Sequence, residues 1–147
     1  MDILKLLKQD HKVVLGIIEK IETSTRGGKT REQNYSKLKK EIFSHMQAEE
    51  TTFYPFLLKE ATEKDCLYEA FEEHRVVRLA LPDIDSTDVS DEQWLPKFKV
   101  IVEMLKHHIE EEENEVFELA EDIILEPEIS LQLAEDFKEA KKQTILV

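Results

Sequence analysis

Four of the five histidines form two sets that superimpose when the chain is shifted by 63 residues. His11 and His45 are 34 residues apart, as are His74 and His108, and Glu49 and Glu112 each follow the second histidine of a set by four. Together these six residues offer four imidazole nitrogens and two carboxylates. Two helical hairpins presenting the same three donors to one shared site would make a two-metal centre. A carboxylate buried without a partner is costly and tends to take up a proton, so two of them among four imidazoles make sense with cations between them. One ion could take the whole set. If instead both glutamates bridge, each of two ions has four protein ligands and keeps positions for water, an oxo or hydroxo bridge, or a small molecule. Mixed nitrogen and oxygen ligation with open positions favours redox-active iron, ahead of manganese and zinc. Calcium and magnesium prefer oxygen donors. With Cys66 the one cysteine, thiolate zinc and iron–sulfur sites are excluded.

Helices must position these donors. The spacing predicts four long helices, near residues 2–25, 30–60, 64–81 and 90–125, and a short one near 128–142. Thr30 with Gln33, and Ser90 with Gln93, have capping-box spacing, and Pro82 is expected to stop the third helix. The apolar stripe of the first helix reads Leu4, Leu7, His11, Val14, Ile18, Ile21, in steps of three and four that mark a bundle seam. The second reads Leu38, Ile42, His45, Glu49, Thr52, Phe56, and the third Leu67, Ala70, His74, Val77, Leu81. The fourth reads Phe98, Ile101, Leu105, His108, Glu112, Val116, Leu119. In the last helix Leu131, Ala134 and Phe137 or Lys138 share a side. All six donors thus sit on inner faces at mid-helix. Residues four apart are about 40° apart around a helix, so His45 with Glu49, and His108 with Glu112, can address one centre. Short connections give an all-α, antiparallel up-down-up-down four-helix bundle over residues 1–125, with residues 126–147 forming a helix packed on it or trailing it. Tyr54, Tyr35, Met46 and Met104 read as packing residues, and Trp94 as a cap on the bundle end.

Composition agrees with this class. The 147 residues include three Gly and four Pro, with 36% charged and 41% hydrophobic, a helical mix. The net charge of −13 argues against nucleic acid and anionic membranes as partners. No apolar run approaches the ~18 residues that span a bilayer. The alternating N-terminus is unlike a signal peptide, and the lone cysteine suits a reducing, cytoplasmic setting.

The pattern resembles the hemerythrin family and its HHE cation-binding relatives. The resemblance rests on Asp10-His11 and Glu73-His74, on His45-Met-Gln-Ala-Glu49-Glu50 followed by Phe53-Tyr54-Pro55, and on His108-Ile-Glu-Glu-Glu112-Glu113. It implies a bundle around a non-haem di-iron centre in which His11 and His45 bind one iron, His74 and His108 the other, and Glu49 and Glu112 bridge. Oxygen-carrying members place a further histidine four residues after the one on the third helix. Arg78 stands there in this chain, which turns the expectation away from reversible oxygen carriage. Glu50, Glu113 and Tyr54 are further candidates for the gap, and Glu113 competes with Glu112. The function this implies is binding or sensing of oxygen, nitric oxide or another small ligand. Beside it stand iron storage or homeostasis, a di-iron peroxidase or oxidase acting on peroxide, and an acidic helical interaction module without metal.

Overall fold

The computed structural model describes residues 2–144. Residue 1 and residues 145–147, counted in the expected bundle and tail, lie outside the described residues. Among the described residues there are helices and turns and no strand. Helix α1 (Ile3–Glu22) is followed by α2 (Lys29–Ala48) and α3 (Tyr54–Glu60), which form one rod interrupted by a π-turn at Glu49–Phe53. After α4 (Asp65–Asp85), α5 (Trp94–Glu111) and α6 (Phe117–Ile123) form a second interrupted rod, with its π-turn at Glu112–Val116; α7 (Pro127–Gln143) ends the chain. The first four rods make the expected antiparallel bundle. α1 packs along α2, α4 along α5, and α7 lies against both α1 and α2.

Local chemistry sets the helix ends, in places differently from the sequence reading. Asp2 caps α1, its carboxylate accepting from the Lys5 N–H at 2.9 Å. Gly27, at φ +74°, turns the chain into α2; a Cβ there would lie 3.0 Å from that of Ser90. The two expected capping boxes do not form. Gly28 is the N-cap of α2 and Thr30 already lies inside the helix, while the Ser90 hydroxyl donates to Asp88 and α5 starts later, at Trp94. Pro82 does not stop α4, which runs on to Asp85. The ring removes one backbone donor, but burial of Ile84 holds the last turn, and the Ser86 and Thr87 hydroxyls donate back to the Asp83 carbonyl.

The apolar stripes behave as expected up to each glutamate, save that Ile3 and not Leu4 is the buried residue at the start of α1, and then slip. In a π-turn the N–H of residue i+5 bonds the carbonyl of residue i, which inserts one residue per turn. Here Tyr54 N–H bonds the Glu49 carbonyl and Phe117 N–H bonds the Glu112 carbonyl. Beyond Glu49 the buried residues are therefore Phe53 and Leu57, not Thr52 and Phe56; beyond Glu112, Ala120 is buried where Leu119 was expected. A proline is not required, because position 118, the counterpart of Pro55 63 residues on, is Glu and the second π-turn forms without one. Thr51 and Thr52 donate back to the Gln47 and Ala48 carbonyls at 2.8 and 2.6 Å, satisfying acceptors around the first widened turn. On α7 the inward residues are Leu133, Ala134 and Phe137, whereas Leu131 is 48% exposed.

The core is split in two. One apolar cluster gathers Ile3, Leu7, Phe53, Tyr54, Leu57, Val116, Phe117 and Phe137. The other gathers Val14, Ile18, Leu38, Ile42, Val77, Trp94, Phe98 and Leu105. Between them lies a polar layer of His11, His45, Glu49, His74, His108 and Glu112, each no more than 6% exposed.

Candidate metal centre

The polar layer contains all six sequence-predicted donors. His11 Nε2 lies 3.2 Å from Glu112 Oε1, and His45 Nε2 lies 3.2 Å from Glu49 Oε1. His74 Nε2 is 3.3 Å from that same Glu49 oxygen, and His108 Nε2 is 3.4 Å from Glu112 Oε2. Each glutamate therefore touches a histidine from both hairpins. His11, His45, Glu49 and Glu112 have donor atoms within 4.8 Å of one another, and so do His74, His108, Glu49 and Glu112. Two adjacent donor groups share both carboxylates.

The outer side of every imidazole is closed by a carboxylate. His45 Nδ1 meets Asp10 at 2.9 Å, and His108 Nδ1 meets Glu73 at 2.7 Å. His11 Nδ1 meets Glu113 at 2.6 Å, and His74 Nδ1 meets Glu50 at 2.7 Å. An ionised carboxylate only accepts, so each Nδ1 carries the hydrogen and each Nε2 faces inward. Glu50 and Glu113 thus lie on the far side of the rings from the inward Nε2 atoms, and Glu112 points in. Arg78 donates to both oxygens of Glu50 at 2.8 and 3.0 Å, away from the polar layer. The four outer carboxylates obey the same 63-residue repeat as the donors. The acid–histidine pairs and the doubled glutamates of the sequence were its visible trace.

Whether a cation fits can be read from the unpaired atoms. Among the described residues, four buried side-chain atoms lack a hydrogen-bond partner: His11 Nε2, His45 Nε2, Glu49 Oε2 and Glu112 Oε1. They are one atom from each member of the first donor group. Buried polar atoms are seldom left this way. In the second group His74 Nε2 faces His108 Nε2 at 3.0 Å, where two inward lone pairs repel unless a proton or metal ion lies between them. The electrostatics agree. Burial pulls the imidazoles down, but Glu49 and Asp10 outweigh it at His45, and Glu112 and Glu73 at His108, pushing both up to about 10. His11 is likewise raised, mainly by Glu112 against its burial. Burial would raise Glu112, yet its hydrogen bonding with Glu49, His108 and His11 and the charge of His108 hold it well below the usual carboxylate range. Positive charge is strongly favoured here, and the donor set suits transition-metal cations.

Tyr54 is the donor-capable residue that sequence reading placed as packing, with the family resemblance adding it as a candidate for the gap at Arg78. Fully buried, its hydroxyl donates to Glu112 and to Glu49 Oε1, the latter at 3.2 Å, and lies 3.5 Å from His74 Nε2. Burial and the two carboxylates raise its pKa well above the ordinary phenol value, so it keeps its proton. The signal was a break in the repeat, because the counterpart of Tyr54 is Phe117. Phe117 stacks on the His11 ring at 6.3 Å. The α7 helix adds Phe137, edge-on to His45 at 5.5 Å, and Lys141, whose ammonium lies 2.8 Å from Asp10.

Comparison with known proteins agrees with this geometry. Residues 2–120 match a family model described as the hemerythrin HHE cation binding domain. A crystal structure of a hemerythrin HHE cation binding domain-containing protein from Mycobacterium kansasii superimposes with a TM-score of 0.82 at 24% identity. That match covers 97% of this chain and 88% of the other, and it carries the fold. No curated protein matches the chain.

Proposed function

The chain belongs to the hemerythrin HHE cation binding domain family, and from that premise we propose that its metal-binding centre is a carboxylate-bridged pair of iron ions that binds or senses oxygen, nitric oxide or a molecule of similar size. The observation that carries this reading is the pair of donor groups sharing Glu49 and Glu112. His11 and His45 would hold one ion and His74 and His108 the other, with both glutamates common to the two. Bound iron would supply redox chemistry and open coordination positions.

The rest is the work of this chain's own residues. Asp10, Glu113, Glu50 and Glu73 fix the tautomer and direction of the four rings and raise their basicity. Val14, Ile42, Met46, Val77, Leu105 and Ile109 line an apolar cavity of about 30 Å³ against the four histidines. A cavity of that size has room for a molecule the size of water, which suits a diatomic molecule or peroxide on that side. On the opposite side the Tyr54 hydroxyl holds a proton beside His74 and Glu112. This last feature favours a second reading, reduction of peroxide, where a buried proton donor next to the reacting atoms would be used.

The test is metal analysis of protein purified without added metal, followed by a visible spectrum before and after azide. About two irons per chain with azide-sensitive bands are expected. Absence of bound metal after anaerobic reconstitution with iron would overturn the proposal and favour the interaction-module reading. Turnover of peroxide with an added reductant would move the second reading ahead of the first. A metal-free chain that loses its helices on chelation, with bands indifferent to azide, would favour iron storage or homeostasis.

A further inference from the structure

His107 is the histidine outside the repeat, and it stands at the mouth of a second donor cluster. Its Nε2 lies 3.0 Å from Glu111 Oε1 and 3.8 Å from Glu73 Oε2. One donor atom each from Glu73, His107 and Glu111 falls within 4.8 Å of the others, and Glu69, Glu111 and Glu115 extend the cluster along the surface. Glu73 belongs to both worlds. Its Oε1 accepts from His108 Nδ1 at 2.7 Å, while Oε2 faces His107. A cleft of about 210 Å³, lined by Glu69, Glu73, Met104 and His107 among others, opens beside it.

The internal repeat provides an independent observation about what belongs there. The counterpart of Glu73 is Asp10, whose Oδ2 meets both His45 Nδ1 and a cation, the Lys141 ammonium at 2.8 Å, delivered by α7. The counterparts of His107, Glu111, Glu69 and Glu115 are Ser44, Ala48, Leu6 and Thr52, which offer no comparable donor set. Among the described residues, no helix overlies the position on the second hairpin and no lysine or arginine pairs with Glu73 or Glu111. Arg75 is engaged by Glu72 at 2.9 Å. Where one hairpin places an ammonium group, the other places an imidazole and two carboxylates.

We propose that His107, Glu73 and Glu111 form an outer site for a divalent transition-metal cation, through which metal is loaded into the buried centre along the Glu73–His108 link. The destination rests on the two-cation reading of that centre; the outer site rests on its own residues. One imidazole and two carboxylates with solvent at the remaining positions suit a weakly held, exchanging ion. The neighbouring carboxylates of Glu69 and Glu115 raise the local concentration of cations and so the rate of capture.

Cobalt(II) is the probe, added without oxygen to the metal-free full chain and followed by calorimetry and stopped-flow absorbance. The wild type is expected to take two cations tightly and a third weakly. The H107A/E111Q variant alters two side chains that are 62% and 29% exposed, so the fold should hold. It is expected to keep the tight pair, lose the third cation and fill the centre about tenfold more slowly. The E92Q variant, an exposed charge change elsewhere, should fill at the wild-type rate. Binding of only two cations by the wild type, or unaltered filling by H107A/E111Q, would overturn the outer loading site. Loss of the tight pair in the wild type, with the weak cation still removed by H107A/E111Q, would overturn the two-cation centre and leave the outer site standing.

Discussion

The two hairpins of this bundle carry the same donors and differ in nearly everything around them. His11, His45, Glu49, Asp10 and Glu50 on the first are matched, 63 residues on, by His74, His108, Glu112, Glu73 and Glu113 on the second. Both glutamates open a π-turn. Around the first histidine pair lie Phe117, Phe137 and Lys141, so that half is covered and apolar. Around the second lie the Tyr54 hydroxyl, Arg78 on Glu50 and His107 beside Glu73, so that half is polar. Donor identity therefore follows the repeat, while local polarity and proton supply follow its breaks. A symmetric donor set has been given one apolar side and one polar side.

The largest effect should come from what the halves share. His45 and His108, one from each hairpin, are both pushed up to about 10 by the carboxylates around them, against the pull of burial. An imidazole whose folded pKa exceeds its unfolded value of ~6.5 stabilises the fold fully below the unfolded value, and that contribution fades as pH rises through the folded one. The metal-free chain is therefore expected to be steadily destabilised between pH ~6.5 and 10, as followed by urea unfolding. The loaded chain should show the opposite trend at the acid end, because ligation needs neutral imidazole and carboxylate and so releases protons. If the two histidines titrated far apart by NMR in the metal-free chain, the equivalence of the hairpins would be broken at its simplest point.

A smaller effect should separate the halves. Phe137 is fully buried between the first apolar cluster and the His45 ring, and among the described residues no phenylalanine, tyrosine or tryptophan ring covers His108 in the same way. Phe137→Ala is expected to cost about 3–5 kcal/mol in chemical denaturation. In cobalt-loaded protein it should perturb the ion held by His11 and His45 and spare its neighbour. Equal perturbation of both ions would mean that α7 acts on the bundle as a whole.

These contrasts also show which parts of the molecule were legible in the sequence. The six inward residues were, because polar side chains at mid-helix interrupt an apolar stripe and their spacing repeats. The bundle was legible because the steps of three and four persist through α1, α4 and α5. The π-turns were not. Local propensity carries little sign of an i+5 bond, and the one hint, Pro55, has no counterpart in the second turn. That omission propagated into the misassigned faces at Thr52, Phe56 and Leu119. The roles of Glu50 and Glu113 were open for a related reason. Adjacent glutamates are 100° apart on a helix, and only the packed neighbours decide which one points inward. Lys141 was illegible in principle, since a contact between residues 131 positions apart leaves no periodic trace.

Tyr54 tests whether the asymmetry lies in single side chains or in the frame that holds them. Its hydroxyl donates to the Glu112 carboxylate inside the bundle, so Tyr54→Phe in the metal-free chain should cost about 1.5–3 kcal/mol, the range for a hydrogen bond to a charged group. It should also change the azide affinity of the loaded protein. The informative variant is the exchange, Tyr54→Phe with Phe117→Tyr, which moves the phenol to the other half while keeping composition constant. If the halves were interchangeable, the exchange would restore both stability and azide affinity. The geometry argues otherwise. Phe117 lies nearly parallel to His11, 15° between planes at 6.3 Å, whereas Tyr54 is tilted by 30° from His74 at 5.5 Å. A hydroxyl added to a stacked ring extends in the ring plane, past the imidazole and not toward its Nε2. The exchanged chain is therefore expected to remain as destabilised as Tyr54→Phe alone, with azide affinity unrestored. Full recovery would show that the repeat extends through the packing of the rings as well as through the donors.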